Sequence, residues 1–246
     1  MTSVTPELRH GTVALDGVTI AYREAGAPGG LPVMLLHALG SDAGTWERFA
    51  IRLAGRGRHV LAPDLRGHGG STWTGTYSME LMRDDVIGFL DACGIGHVDL
   101  VGHSMGGAVA VLVAQRQPER VRRLVVEDTP PPPREPVSVE AAPVAEPSEP
   151  LPFDWRSLEP IITEFRTPRP DWWERLRTIS ARTLLVSGGP TSHVSLDALT
   201  RMNQIIADCR LVTVPDAGHR VHSQRPEEFW RVTSAFLDDH PGAPDS

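Results

Sequence analysis

The sequence predicts an α/β protein built on a mostly parallel sheet with helices on both faces. Short continuous apolar runs recur along the chain, as strands buried on both sides require. Helical periods separate them, which is the alternation that winds a parallel sheet. With 246 residues, 40% of them apolar, the chain can bury one large core.

The elements follow in order. "GTVALDGVTIAYREAG" alternates apolar and polar residues around Asp16-Gly17, a tight-turn dipeptide, and reads as an opening hairpin. The buried strands are predicted at 33–37, 59–64, 98–103, 123–128, 183–188 and 210–215. Between them, "SMELMRDDVIGFLDACG" places Met82, Val86, Phe89, Leu90 and Cys93 at helical spacing, with Ser78 as N-cap and Gly94 past the end. "MGGAVAVLVAQRQ" is a small-residue helix suited to lie close on a sheet. "RPEEFWRVTSAFLDD" begins with Pro226 in its first turn and carries Phe229, Val232 and Phe236 on one face.

One segment breaks the rhythm. From Pro130 to Pro152 the chain has nine prolines among Glu and Ala, which cannot hold a helix or a central strand. It reads as an extended, partly disordered excursion leading into one or two short Trp-rich helices. The expected organisation is a core over 1–129 and 181–240, a short Pro-rich cap insertion over 130–180, and a C-terminal tail over 241–246. Trp155, Trp172 and Trp173 cluster just beyond the prolines. They either line an apolar substrate pocket or anchor the insertion.

Composition removes several classes of function. A net charge of −7 gives no electrostatic footprint for nucleic acid. There is no lysine, so neither a Schiff-base lysine nor a phosphate-loop lysine exists. Cys93 and Cys209 lie far apart and are expected to be buried free thiols. The first ten residues lack the apolar core of a secretory signal, and no run reaches a membrane-spanning length. The expectation is a soluble, cytoplasmic protein with no membrane partner.

"VDLVGHSMGGAVAVLVA" places G-H-S-M-G between a strand and a helix, the context a G-x-S-x-G nucleophile elbow requires. Ser104 on such a turn is forced into a strained conformation, and Gly102 and Gly106 let strand and helix approach. The hydroxyl then stands at a helix N-terminus, where partial positive charge favours a developing oxyanion.

With "LLHALG" (35–40), "PDLRGHGGS" (63–71), "GHSMGG" (102–107) and "DAGHRVHSQRPEEF" (216–229), the chain resembles the α/β-hydrolase superfamily over nearly its whole length. The resemblance implies that the backbone N–H groups of Leu39 and Met105 form the oxyanion hole, with Ala38 where many relatives have Gly. It implies that His219 is the base. His222, three residues on, is the competitor and is read as a wall or supporting residue. His37 and His103 are expected to support the site, and "DLRGHGGS" to be a turn stabilised by Asp64, Arg66 and His68. No acidic cluster accompanies His219 and His222, so no metal is expected, and no organic cofactor.

The acid is the open point. Many relatives carry it after the strand that here ends at Gly188, but Gly189, Pro190, Thr191, Ser192 and His193 follow, and Asp197 falls inside a predicted helix. "RLVVEDTPPP" supplies carboxylates at the end of a neighbouring strand, where the carboxyl ends of a parallel sheet converge. Haloalkane dehalogenases look similar here, and matching "PERV" puts Asp128 at their acid, with Glu127 second; their aspartate nucleophile has no counterpart, since the elbow holds Ser104. Strand alternation sends Glu127 and Asp128 to opposite faces, so at most one meets the base.

The sequence therefore predicts a serine hydrolase with Ser104, His219 and Asp128, acting on a small to medium, fairly apolar carboxylic ester or lactone through an acyl-enzyme. A C–C bond hydrolase and a biosynthetic thioesterase or acyltransferase would use the same residues. A non-catalytic ligand-binding protein on the same scaffold is the alternative from another class.

Overall fold

The structure, a computed structural model, describes residues 7–136 and 145–239. Eight strands form one sheet: β1 (Arg9–Leu15), β2 (Val18–Ala25), β3 (Leu31–Leu36), β4 (Arg58–Pro63), β5 (Val98–His103), β6 (Val121–Glu127), β7 (Arg182–Ser187) and β8 (Cys209–Thr213). Their order is β1-β2-β4-β3-β5-β6-β7-β8. The β1–β2 hairpin turns at Asp16-Gly17, with Gly17 at φ +73°, and joins the sheet antiparallel through β4. Every later pairing is parallel. The carboxyl ends of β3, β5, β6 and β7 therefore open on one edge, and the chain's chemistry collects there.

Helices α1 (Glu47–Ala54) and α8 (Pro226–Asp238) cover one face, with the short α7 (Val221–Gln224) beside them. Their Phe49, Leu53, Phe229 and Leu237 pack on Val101, Val125, Leu184 and Val186. The other face carries α2 (Met79–Ala92), α3 (Met105–Arg116) and α6 (Leu196–Ile205), packed on Leu100, Leu124, Val126 and Leu185. Odd and even residues of each strand thus serve different layers, and the parity of a strand-end residue fixes which side of the site it reaches.

Helix ends follow the sequence closely. Ser78 caps α2 by accepting from Leu81 N, and Pro226 occupies the first turn of α8. One expectation fails: Cys93 is exposed and Cys209 only half-buried, both as free thiols. Cys93 is the C-cap of α2, beyond the last residues that face the sheet, so the helical spacing no longer applies to it.

Between β6 and β7 lie α4 (Leu158–Arg166) and α5 (Pro170–Arg175). The extended excursion expected over 130–152 lies partly outside the described residues, and the tail expected over 241–246 wholly so. The described ends of the excursion are pinned. Trp173 Nε1 donates to Pro132 O at 2.8 Å and Arg169 N to Pro133 O at 3.0 Å. At the far end, Gly69 N donates to Pro152 O at 3.1 Å and Asp154 N to Gly67 O at 2.7 Å. Among the described residues, no helix is long and apolar enough to cross a membrane.

Candidate active site

Ser104 occupies the single-residue turn between β5 and α3 at φ +52°, a left-handed conformation that a serine holds only where its surroundings impose it. Those surroundings are visible. Ser104 N donates to Glu127 O at 3.0 Å, and Thr129 Oγ1 donates to Ser104 O at 3.1 Å. A Cβ on Gly102 would lie 2.4 Å from Gly106 O, so strand and helix touch there. A Cβ on Gly106 would instead strike the end of β3, 2.3 Å from Leu36 O. Gly107, not singled out in the sequence, lies against Thr129. The elbow is tied to both neighbouring strands, not only folded on itself.

The two carboxylates at the end of β6 diverge. Glu127 shares the parity of Val125 and points to the α1/α8 face. There its Oε1 accepts from His222 N at 2.8 Å, and His222 Nδ1 lies 2.9 Å from both oxygens. Asp128 has left the strand: at φ +42° its backbone turns, and its N donates to Val186 O at 2.7 Å. Aspartate tolerates this region better than most residues because its short side chain can bond locally. The turn brings Oδ2 within 2.8 Å of His219 Nδ1. Each carboxylate therefore meets a histidine of the same loop, Glu127 by its strand parity and Asp128 by its backbone turn.

The loop after β7, which lacks an acid, forms the seat of Asp128. Gly188 N donates to Asp128 Oδ1 at 2.7 Å, and the Ser192 hydroxyl donates to Oδ2. Gly188 must be glycine, because a Cβ there would lie 1.8 Å from Gly218 O. Gly218, beside His219, in turn donates to Gly188 O and to Thr191 Oγ1, both at 3.1 Å. Ser192 was noted in the sequence only as part of an acid-free loop; small hydroxyl residues at that place were its one signal.

His219 is 27% exposed in its side chain while Asp128 is fully buried, so the ring bridges the interior and the cleft. A carboxylate only accepts, so His219 Nδ1 carries the proton, which leaves the lone pair on Nε2. Among the described residues the Ser104 hydroxyl makes no hydrogen bond; catalytic hydrogen bonds of this kind are often formed only with substrate bound. Two further histidines flank the ring. His103 lies 4.7 Å away, its Nε2 2.7 Å from His219 O. Burial brings the His103 pKa down to about 4, so it stays neutral and donates to that carbonyl. His193, exposed, lies with its ring centre 4.3 Å from that of His219, the two rings inclined by 50°. Partial burial, then the neighbouring His219, lowers its pKa as well.

His222 is not at the cleft. Its Nε2 lies 2.8 Å from Thr45 Oγ1, and its ring stacks 4.3 Å from Trp46. Burial pushes Glu127 up, but its electrostatic interaction with the neighbouring His222 and His103 rings and the His222 hydrogen bonds outweigh it and hold the carboxyl below its ordinary value.

Residues 38–41 form a turn closed by Ser41 N to Ala38 O at 3.1 Å, with Gly40 at φ +74°. Among the described residues the Leu39 N–H has no acceptor, and Met105, first in α3, has no intrahelical one. His37 closes the base of this loop, with Nδ1 2.8 Å from Ala38 O and Nε2 accepting from Leu65 N at 2.9 Å. In the "DLRGHGGS" turn, Asp64 accepts from Ala43 N and Gly70 N, and Arg66 pairs with Asp85. Trp172 and Trp173 are buried in the layer that carries α2 and α3, and Trp155 is half-buried in a single turn preceding α4. Among the described residues, no group of three or more His, Cys, Asp or Glu side chains is arranged to hold a metal ion.

A strand–elbow–helix serine, a buried acid–histidine pair and an open backbone turn on a sheet of this order define a hydrolase of the α/β class. Residues 33–232 match the alpha/beta hydrolase family, and the chain belongs to it. It is 28% identical over 246 aligned residues to the mouse sn-1-specific diacylglycerol lipase ABHD11, covering 83% of this chain and 80% of that protein. It is 29% identical to the 2-hydroxy-6-oxo-2,4-heptadienoate hydrolase of Pseudomonas putida, covering 96% and 99%. Among solved structures, Est816, an N-acyl homoserine lactone degrading enzyme, superposes with a TM-score of 0.77 at 26% identity, covering 92% of this chain and all of that one.

Proposed function

We propose that this chain is a serine hydrolase that cleaves a carboxylic ester or lactone through an acyl-enzyme, with Ser104 as nucleophile, His219 as base and Asp128 as acid. The observation that carries the reading is the 2.8 Å contact between His219 Nδ1 and the buried Asp128 carboxylate. It fixes the tautomer that leaves Nε2 free to take a proton.

Ser104 Oγ attacks the carbonyl carbon as His219 Nε2 takes its proton, and the imidazolium is stabilised by Asp128. The tetrahedral oxyanion is held by the N–H groups of Leu39 and Met105. His219 then delivers the proton to the leaving oxygen, and the C–O bond breaks. Water, deprotonated by the same ring, resolves the acyl-enzyme and returns Ser104. None of these steps calls on a metal or an organic cofactor. Because a lactone-degrading enzyme and a lipase are among the similar proteins, ester and lactone come first.

The C–C hydrolase reading draws on the relative from Pseudomonas putida and uses the same residues. A panel of p-nitrophenyl esters, acyl lactones and a vinylogous 1,5-diketone separates the two. Intact-mass detection of fluorophosphonate labelling needs no substrate at all. Labelling of the wild type, lost in Ser104→Ala, is the expected result; an unlabelled wild type with an accessible site would favour the ligand-binding alternative.

A further inference from the structure

The segment that closes the Pro-rich excursion reaches the oxyanion loop. Phe153 forms an isolated antiparallel bridge with His68, flanked by the backbone bonds from Gly69 to Pro152 and from Asp154 to Gly67. Its ring lies parallel to the His68 ring, 15° between planes and 5.6 Å between centres. It also covers the oxyanion loop directly: a Cβ on Gly40 would sit 3.3 Å from the Phe153 ring. Asp154 locks the segment further, accepting from the Tyr77 hydroxyl at 2.5 Å and from Arg156 Nε at 2.9 Å.

His68 is the link between this segment and the loop. Its Nδ1 lies 3.1 Å from Arg66 O and its Nε2 accepts from Gly40 N at 3.2 Å. That pairing requires a neutral ring with the proton on Nδ1, because an imidazolium has no lone pair to offer Gly40. Burial, then the neighbouring His37, brings the His68 pKa down to about 3, so the acceptor persists across the working pH range. Gly40 follows Leu39 directly. The plane of the Leu39–Gly40 peptide is set by the Gly40 hydrogen bond, and through Leu39 it aims the N–H expected to meet the oxyanion.

We propose that His68 is a positioning residue for the oxyanion loop and that Phe153 seats it, so that the loop is correctly set only while residues 152–154 are docked on the 67–69 turn. The proposal rests on the acyl-transfer reading for its catalytic consequence, though not for the coupling itself. Neither residue touches the reacting atoms. Phe153 acts on His68, His68 on Gly40, and Gly40 on the direction of the Leu39 N–H. Oxyanion donors work by being aimed before the charge develops, so a small loss of aim lowers turnover without weakening substrate binding.

The test reads the coupling and the chemistry separately. The Gly40 amide resonance is followed by 15N NMR in the wild type, Phe153→Ala, Phe153→Leu and His68→Ala. Both Phe153 variants are expected to move it in the direction that His68→Ala does, with Leu moving it less. In parallel, hydrolysis of p-nitrophenyl butyrate is expected to show kcat about tenfold lower in Phe153→Ala with KM nearly unchanged. His68→Gln, whose amide oxygen can replace Nε2 as the acceptor, is expected to recover part of the kcat lost in His68→Ala. A Gly40 amide unmoved in folded Phe153→Leu would overturn the proposal. So would a moved amide with unaltered kcat. Wild-type protein that neither turns over the ester nor labels with fluorophosphonate sinks the acyl-transfer reading instead, and the amide shifts still decide whether Phe153 sets the loop.

Discussion

Glu127 and Asp128 are consecutive, both fully buried, and both bonded to a histidine of one loop, yet they end in different places. The Asp128 branch runs to His219, whose ring is partly exposed. The Glu127 branch runs to His222 and stops at Thr45, with Trp46 stacked over the ring. The difference arises in one backbone step. Glu127 keeps strand geometry and its parity sends it into the α1/α8 layer, whereas Asp128 turns left-handed and delivers its carboxylate to His219. One acid–histidine pair ends in a partly exposed ring, the arrangement the proposed proton transfer needs, and its neighbour ends in a buried one.

The sharpest way to break this comparison is to neutralise each acid in turn. Asp128→Asn is expected to cut kcat by about 10³–10⁴-fold, since an amide can present its NH₂ to Nδ1 and stabilise the wrong tautomer. Stability should fall as well, because Asp128 is a buried carboxylate that accepts three hydrogen bonds. Glu127→Gln is expected to keep kcat within about tenfold while also losing stability, on the order of 3 kcal/mol, as a buried charged acceptor of two hydrogen bonds is lost. Urea unfolding and steady-state kinetics on the same two proteins read both. Equal losses of activity would mean that the two branches are not functionally distinct.

Acid should expose the same division in the wild type. His37 and His103 have folded pKa values of about 4 and His68 about 3, each below the free value near 6.5. Between those limits the unfolded chain binds protons that the folded chain refuses, so stability falls as pH drops from about 6.5 toward 4. Each buried ring can contribute on the order of 3 kcal/mol to that fall. Glu127, held low, adds a further loss only once pH falls below the ordinary carboxylate range. The melting temperature is therefore expected to be flat from pH 8 to 7 and to decline below 6.5. A melting temperature rising through that window would show that these rings are not held neutral.

Much of the fold and the main site residues were legible because each depends on local pattern. Strand parity, the Ser78 cap, the Asp16-Gly17 turn and the elbow glycines are read within a few residues. Strand-end convergence pointed to a carboxylate after β6, but the choice of Asp128 and of His219 came from the family resemblance, and the structure brings those two side chains together. What escaped depends on contacts across long separations. Thr129 pinning the Ser104 carbonyl, Gly107 making room for it, and Thr45 closing the Glu127 branch have no local signature. Nor does the stacking of Phe153 on His68, which joins residues 85 positions apart. The exposure of Cys93 was misread for the converse reason: periodicity continues on paper past the point where the helix leaves the sheet.

The loop after β7 offers the finest distinction. It has no acid of its own, yet it supplies two of the three donors to Asp128, Gly188 N and the Ser192 hydroxyl, with His219 as the third. Val194 N donates to Ser192 Oγ at 3.1 Å, which fills one lone pair and leaves the hydroxyl proton to point at Oδ2. Ser192→Ala removes one charge-assisted bond while two remain, so kcat is expected to fall only about three- to tenfold, far less than in Asp128→Asn. Ser192→Thr, which keeps the hydroxyl, should recover most of it. Because the lost donor faces Oδ2, the oxygen that also serves His219, the carboxylate charge becomes less shared and the histidine a stronger base. The acidic limb of the kcat/KM profile should then move to higher pH. A loss of activity with that limb unmoved would mean that Ser192 orients the carboxylate and does nothing to its charge.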